Sequence, residues 1–221
     1  RGAEFSRPAK DIVLEVEKLV SLGVREITLL GQNVNAYHGK ISSKEKDSVC
    51  TLSELCSMLA KIKGLMRIRY ITSHPADMTD DLINAHKDNY KLMPYLHLPI
   101  QAGSNKILKE MNRKYTREEY ITVVDKLRKA RPDIALTSDF IVGFPGEKNQ
   151  DFDETVDLVK TLRFAGSYSF KYSPRPGTPA SLKGKPVDQK IMNRRLSVLQ
   201  DILKDQQKEF NNSFIDKELP V

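Results

Sequence analysis

The regular alternation of short β-rich runs with amphipathic helical stretches limits what this chain can fold into more than any other feature. Apolar residues recur at helical spacing through Ile12, Leu14, Val16, Leu19 and Val20, and Gly23 supplies a stop. Further helices are predicted over residues 51–62, 79–86, 106–112, 117–129, 152–162 and 188–210, with Thr79 expected as an N-cap. Strands are predicted over 26–31, 66–71, 95–100, 134–142 and 168–172, and the polar stretch 35–48 reads as a surface loop. Strand and helix therefore alternate at roughly thirty to forty residues per unit, the pattern of βαβ crossovers and a parallel sheet. The fold class is α/β. Because the chain opens on a helix, a strand is expected before residue 1. About six βα units would then make a partial, open parallel β/α barrel with its first strand missing or truncated. A doubly wound sheet is the competing arrangement, since periodicity does not separate the two. The core is expected to span residues 1–210, and residues 211–221 read as the opening of a further domain that is cut short.

Charge and cysteine content narrow the function classes. A formal net charge of +7 over 221 residues points to a polyanionic partner, nucleic acid being commonest. Two cysteines, Cys50 and Cys56, are too few for a disulfide framework and fit a reducing compartment. There is no long apolar run free of charge and no signal peptide at the start, so a cytoplasmic protein with no membrane partner is expected. Cys50 and Cys56 flank five residues, and His38, His74, His86 and His97 are scattered, so no metal site is expected here. A phosphate-binding loop of the Walker type is absent, and Gly143-Phe144-Pro145-Gly146 lacks dinucleotide-fingerprint spacing.

In parallel α/β sheets the ligand lies at the carboxyl ends of the strands, so the residues following each strand carry the functional information. The exits read Gly31-Gln32-Asn33-Val34-Asn35, Thr72-Ser73-His74-Pro75 and Gln101-Ala102-Gly103-Ser104. Ser138-Asp139 lies within the strand that runs into Gly143-Phe144-Pro145-Gly146-Glu147, and the last exit is Ser173-Pro174-Arg175-Pro176-Gly177-Thr178. These are amides, hydroxyls and glycines, which hydrogen-bond a polar ligand without supplying acid, base or nucleophile. An enzyme built this way takes its reactivity from a cofactor. The plainer account is that Gly, Pro, Asn and Ser are simply what loops contain.

Taken together and in order, these exits resemble those of the radical S-adenosylmethionine methylthiotransferases. The resemblance extends through Ala36-Tyr37, Leu98-Pro99-Ile100, Met111-Asn112-Arg113, Asp139 to Glu147 and Tyr172 to Pro179, and covers essentially the whole chain. Gly-Gln-Asn-Val-Asn is similar to the branch that modifies isopentenylated adenosine beside the tRNA anticodon. The resemblance implies an enzyme, a transferase, that adds a methylthio group to carbon 2 of that base by 5′-deoxyadenosyl radical chemistry. It implies S-adenosylmethionine and two 4Fe-4S clusters as cofactors, with tRNA and a flavodoxin- or ferredoxin-type electron donor as partners of a monomeric enzyme. It also implies that residues 211–221 begin a small RNA-binding domain. In the family, three cysteines precede a Thr-Arg-Gly run, whereas this chain opens at Arg1-Gly2. No metal ligand is therefore assigned to it, and alone it is expected to be inactive. A sibling activity, on threonylcarbamoyl-adenosine or a ribosomal-protein aspartate, and a non-catalytic RNA-binding barrel fragment are the alternatives.

Residue by residue, the resemblance places Gln32 and Asn33 at the methionine end of the cofactor and Gln101 and Ser104 at ribose or carboxylate. Ser138, Asp139 and Gly143 would read the adenine and ribose edge, and Tyr172 would flank the adenine. In the broader superfamily's Gly-x-Ile-x-Gly-x-x-Glu motif, Asp139 takes the first glycine's place and Glu147 falls one residue late, so Glu147 receives no contact. Basic residues cluster over 61–69, 106–117, 126–131 and 183–208. Arg113 and Arg175, near strand exits, are the candidates for RNA contact, while most of the others are solvated helix faces.

Overall fold

The computed structural model describes residues 5–41, 48–182 and 187–218. The chain divides into two units, Arg1–His97 with Asp125–Ile134, and Leu98–Val124 with Ala135–Val221.

In the first unit α1 (Ala9–Ser21) follows Pro8, whose fixed φ suits a helix start and whose missing N–H would be unpaired there anyway. It buries Ala9, Val16 and Val20. Strand β1 (Glu26–Leu29) pairs in parallel with β4 (Arg67–Tyr70), in the register Glu26↔Arg67 to Leu29↔Tyr70. A further parallel bridge joins Ile68 to Leu92. The crossover helix α2 (Leu52–Ala60) opens on a capping box: the Thr51 hydroxyl accepts from the Glu54 amide at 3.3 Å, and the Glu54 carboxylate accepts from the Thr51 amide at 2.8 Å. At its other end the Lys91 ammonium donates to the carbonyls of Ala60 and Ile62. Helix α3 (Asp80–Asp88) follows β4, and β5 (Tyr95–His97) closes this part of the chain. Leu55, Leu59, Ile68, Leu82 and Leu92 form the core.

In the second unit residues 98–101 run beside β6 (Ala135–Val142), with Leu98 N–H donating to Thr137 O and Gln101 N–H to Asp139 O, both at 2.9 Å. Strand β6 pairs in parallel with β7 (Gly166–Lys171) from Thr137↔Gly166 to Val142↔Lys171. Helices α4 (Asn105–Glu110), α6 (Asn149–Leu162) and α7 (Gln189–Asn212) belong to this unit; α5 (Arg117–Ala130) begins in it and ends in the other. Strand β6 is fully amphipathic: Leu136, Ser138, Phe140 and Val142 are buried, and the residues between them are half-buried. Phe140 meets Phe164 edge to face at 5.6 Å, an arrangement worth about 1 kcal/mol beyond burial. Buried Gln206 of α7 ties the helix layer by accepting from Phe164 N–H and donating to Val159 O.

The α/β class and the parallel strands agree with expectation, and several details differ. The stretch 35–48, read as a loop, holds most of a 3₁₀ turn (Val34–Ala36) and strand β2 (His38–Lys40), which pairs antiparallel with β3 (Val49–Thr51) just beyond it. Residues 42–47 lie outside the described residues. Such short polar strands carry no apolar alternation to betray them. Strand β5 ends at His97 rather than continuing to residue 100. Thr79 takes the N-cap position without a side-chain cap bond, and Asp81, in the first turn of α3, accepts from the hydroxyls of Ser53 and Thr51. Helix α7 continues through Asn212, past the boundary expected at residue 210. No described helix is long and apolar enough to cross a membrane.

Candidate functional site

At the exits of β1 and β4 the first unit builds a polar cradle. Val34 N–H donates to Thr72 O at 3.0 Å, joining the two exit segments. Buried Asn35 holds the backbone of His74 reciprocally, donating to its carbonyl and accepting from its amide, both at 2.8 Å. Asn33 donates through Nδ2 to Asp77 Oδ2 at 2.7 Å. The His74 imidazole accepts from Ala76 N–H, capping the 3₁₀ turn Pro75–Asp77. Thr72 sits at φ +69°, a conformation unfavourable for a β-branched residue. Two buried oxygens in this cradle, Asn33 Oδ1 and Ser73 Oγ, have no partner among the described residues. A buried polar atom left unpaired is costly, so such atoms mark where a polar ligand fits. Gln32 is exposed beside them. Ser73 and Asp77 were not singled out from the sequence, although Ser73-His74-Pro75 was visible as an exit turn.

The second unit brings its exits together in a different way. Gln101 is buried at φ +81°, strained for a residue with a side chain, and its backbone is clamped to β6: its carbonyl accepts from Ile141 N–H at 2.9 Å. Asp139, on the half-buried face of β6, is its neighbour in this pairing through the carbonyl that accepts Gln101 N–H. Gly103 N–H donates to Thr155 Oγ1, and a Cβ at Gly103 would lie 2.5 Å from Thr155 Cα, so the turn passes directly against α6. Ser104, Lys106 and the Lys148 amide all donate to the Asp151 carboxylate, at 2.8, 2.7 and 2.8 Å. Burial opposes ionisation of Asp151, but these donors together hold its carboxyl below the usual range.

The loop after β6 is braced from behind. Gly143, at φ +77°, donates its N–H to Glu147 Oε2 at 2.8 Å, and Arg195 of α7 donates to the same oxygen at 2.5 Å. Arg195 also reaches Asn149 Oδ1 and lies over the Phe152 ring. Burial raises the Glu147 carboxyl above its ordinary value, with the Gly143 amide and the Arg195 guanidinium pulling the other way. Tyr172 packs edge to face on Phe144 at 5.1 Å, and its buried hydroxyl has no partner among the described residues.

Not every expected side chain is available to a ligand. Ser138 is fully buried, and its hydroxyl accepts from Ile100 N–H at 3.0 Å and donates to Leu98 O at 3.2 Å. Pleat and register put it on the same face as Phe140, away from Asp139. The Ser104 hydroxyl serves Asp151, and the Gly143 amide serves Glu147. Met192 occupies the space where a Gly143 side chain would stand. Glu147, given no contact from the sequence, turns out to hold the loop.

Cys50 and Cys56 are both buried thiols, and burial pushes Cys56 up to about 12. No group of three or more His, Cys, Asp or Glu able to hold a metal ion exists among the described residues. The two thiols therefore do not fit an iron–sulfur cluster, whose ligands are thiolates.

Of the candidates for RNA contact, Arg175 is exposed on the exit of β7 and Arg113 is half-buried, with Nε unpartnered among the described residues. The Met111-Asn112-Arg113 turn has a structural origin. Asn112 at φ +58° lets Arg113 N–H reach Leu108 O and Asn112 N–H reach Lys109 O, a Schellman closure of α4. Several other cations are spent within the protein. Glu26 binds Arg67 and Arg69, and those hydrogen bonds hold its carboxyl below the usual range. Lys126 pairs with Asp80, Arg131 with Asp133, and Arg117 with Asp157. Lys183 and Lys185 lie outside the described residues.

The chain is 54 % identical over its whole length to a tRNA-2-methylthio-N(6)-dimethylallyladenosine synthase from Maricaulis maris, covering 49 % of that protein. It is 56 % identical, with the same coverages, to the protein of that name from Rickettsia bellii. The chain thus spans about half the length of these curated relatives. Among solved structures, coproporphyrinogen III oxidase of Escherichia coli matches 90 % of this chain and 46 % of its own, with a TM-score of 0.58 at 14 % identity. The radical S-adenosylmethionine methyltransferase TsrM of Kitasatospora setae matches 79 % of this chain and 31 % of its own, also at 0.58, with 15 % identity. The model of the radical SAM superfamily covers residues 1–159, more than half of the sequence, and the chain belongs to that superfamily.

Proposed function

We propose that this chain is the central part of a tRNA-modifying methylthiotransferase, which places a methylthio group on carbon 2 of N(6)-isopentenyladenosine beside the anticodon. The observation that carries this reading is identity above 50 % along the entire chain to synthases named for that product. The relatives compared above are named for that product and not for the sibling activities on threonylcarbamoyl-adenosine or a ribosomal-protein aspartate. The whole protein would use S-adenosylmethionine and two 4Fe-4S clusters, take electrons from a flavodoxin- or ferredoxin-type protein, and act as a cytoplasmic monomer on tRNA. Residues 211–218, with the remainder to 221, would lead into a small RNA-binding domain.

S-adenosylmethionine, when bound, supplies the radical chemistry; the residues of this chain bind and orient it. Asn33 Oδ1 and Ser73 Oγ support this because they are buried acceptors awaiting a donor, such as the amino or hydroxyl groups of an adenosyl amino acid. Gln32 lies beside them. Taken by itself, the second unit offers an amide, a carboxylate and a ring at Gln101, Asp139 and Tyr172. Ser104, Ser138 and Gly143 shape those exits from behind, through the hydrogen bonds already described. Arg113 and Arg175 would meet phosphates, and the target base would leave its stack to be reached.

The test is to incubate the full-length protein with isopentenylated tRNA, S-adenosylmethionine and reductant, and to analyse the nucleosides by mass spectrometry. The 2-methylthio product is expected. Product formed only on threonylcarbamoyl-adenosine or on a ribosomal protein would move the assignment to a sibling branch.

A further inference from the structure

Strand β7 carries two aromatic side chains that stand largely open among the described residues. Tyr168 is 70 % exposed and Phe170 is 53 % exposed, although both belong to a strand whose neighbour β6 is buried or half-buried at every position. The register pairs Tyr168 with Asp139 and Phe170 with Ile141. Both rings therefore lie on the face of the sheet opposite Leu136, Phe140 and Val142, which pack against the interior. The rings stand 6.5 Å apart at an interplanar angle of 20°. Gly166, two residues before Tyr168 on the same face, adds no side chain that could cover them.

An ordered pair of open rings on a sheet face is the usual platform for a nucleobase, since every base has a π face to stack. The strand runs directly into the exit segment that carries exposed Arg175, whereas Lys171 lies on the opposite face and donates to Asn193. Phosphate-binding cations next to stacking aromatics make the combination that holds unpaired nucleotides. The apolar, uncharged character of both rings also suits an adenine bearing a hydrocarbon group better than a plain adenine.

We propose that Tyr168 and Phe170 seat the isopentenylated adenine of the RNA substrate, and so determine preference for the prenylated base. This rests on the function proposed above. Tyr168 neighbours Asp139 across the β6–β7 register, so the platform adjoins a residue assigned above to the adenosine portion of the cofactor. Stacking on an aromatic pair of this kind is worth roughly 5- to 100-fold in affinity.

The experiment measures binding of three anticodon stem-loop RNAs to the full-length protein by fluorescence anisotropy. At the target position they carry isopentenyladenosine, adenosine or an abasic residue. The wild-type protein is expected to bind the prenylated RNA most tightly. The Tyr168→Ala/Phe170→Ala variant should lose about tenfold or more on that RNA, lose little on the abasic one, and show discrimination falling towards unity. Tyr168→Phe/Phe170→Tyr should retain the preference, and thermal unfolding of all three proteins should coincide. Equal losses on all three RNAs, or a lowered melting temperature with unchanged discrimination, would mean that the rings hold another part of the protein and would overturn the proposal. Unchanged binding by the alanine variant would do the same while leaving the methylthiotransferase reading intact. A wild-type protein that binds none of the RNAs would remove both.

Discussion

Arg195 and Glu147, on α7 and in the loop after β6, form a salt bridge whose side chains are only 6 % and 2 % exposed. Because the same carboxylate oxygen accepts the Gly143 amide, a helix 48 residues downstream sets the conformation of a strand exit. Removing the guanidinium would leave a buried carboxylate with one backbone donor. Arg195→Ala is therefore expected to cost about 3–5 kcal/mol of stability. The double variant Arg195→Leu/Glu147→Leu should recover much of that loss, as read from urea unfolding. A single-variant cost below about 1 kcal/mol would show that the pair does not brace the loop.

Gly103 and Gly146 differ in what surrounds them. A methyl group at Gly103 would meet backbone atoms of α6 at 2.5–2.8 Å, whereas Gly146, at φ +83°, faces open space. Gly103→Ala should destabilise by about 3 kcal/mol through overpacking against an element that cannot yield. Gly146→Ala should cost about 1 kcal/mol, the ordinary penalty of a left-handed conformation. Denaturant midpoints of the two variants check the order, and the reverse order would contradict the close approach of the turn to α6.

Gln101 keeps a side chain where φ is +81°. Gln101→Gly is expected to be more stable than Gln101→Ala by about 1 kcal/mol, because only glycine adopts this conformation without strain. Both should weaken S-adenosylmethionine binding by the full-length protein, measured by equilibrium dialysis, if the amide contacts the cofactor. Retained affinity in both variants would remove Gln101 from the site.

Ser73→Ala removes a buried hydroxyl that has no partner among the described residues. Stability is expected to stay level or rise slightly, since deleting an unpaired polar atom removes a desolvation cost. Cofactor affinity should fall. Affinity measured by dialysis should therefore fall without a fall in melting temperature, and a joint fall in both would point to an ordinary structural role.

His86 is wholly buried, with Nε2 2.7 Å from the Tyr70 hydroxyl. Burial, helped by the nearby Arg131 charge, lowers its pKa from 6.5 to about 4. The unfolded chain therefore takes up a proton at higher pH than the folded one. Stability contributed by the neutral imidazole is fully present above pH 6.5 and is lost as pH falls towards about 4, by about 3 kcal/mol in all. Urea unfolding across that window should show the slope, and His86→Leu should flatten it.

Much of the architecture was legible from local pattern. The helices from α1 to α7 carry apolar stripes at 3.6-residue spacing, which survive because each buries one face, and β6 shows as a buried run broken by Gly143, Pro145 and Gly146. The hairpin of β2 and β3 carried no such stripe, and β5 is only three residues long, so neither its end nor the hairpin could be seen in advance. The site divides in the same way. Gln32, Asn33, Gln101 and Tyr172 were visible as polar or aromatic residues at exits, but Ser73 and Asp77 emerge only once Asn33 and Asn35 are seen to grip the neighbouring exit.

The amino-acid order alone determined the α/β class, the succession of polar strand exits and the superfamily, because these depend on residues near one another in the chain. Tertiary structure decided which of those polar groups remain open. The Ser138 hydroxyl turns to the backbone of residues 98 and 100, Ser104 is taken by Asp151, and the Gly143 amide by Glu147, each through a partner or a pleat fixed elsewhere. Tyr168 and Phe170 stay uncovered for the same reason: what a side chain meets depends on elements some 25 to 50 residues away, brought beside it only by packing.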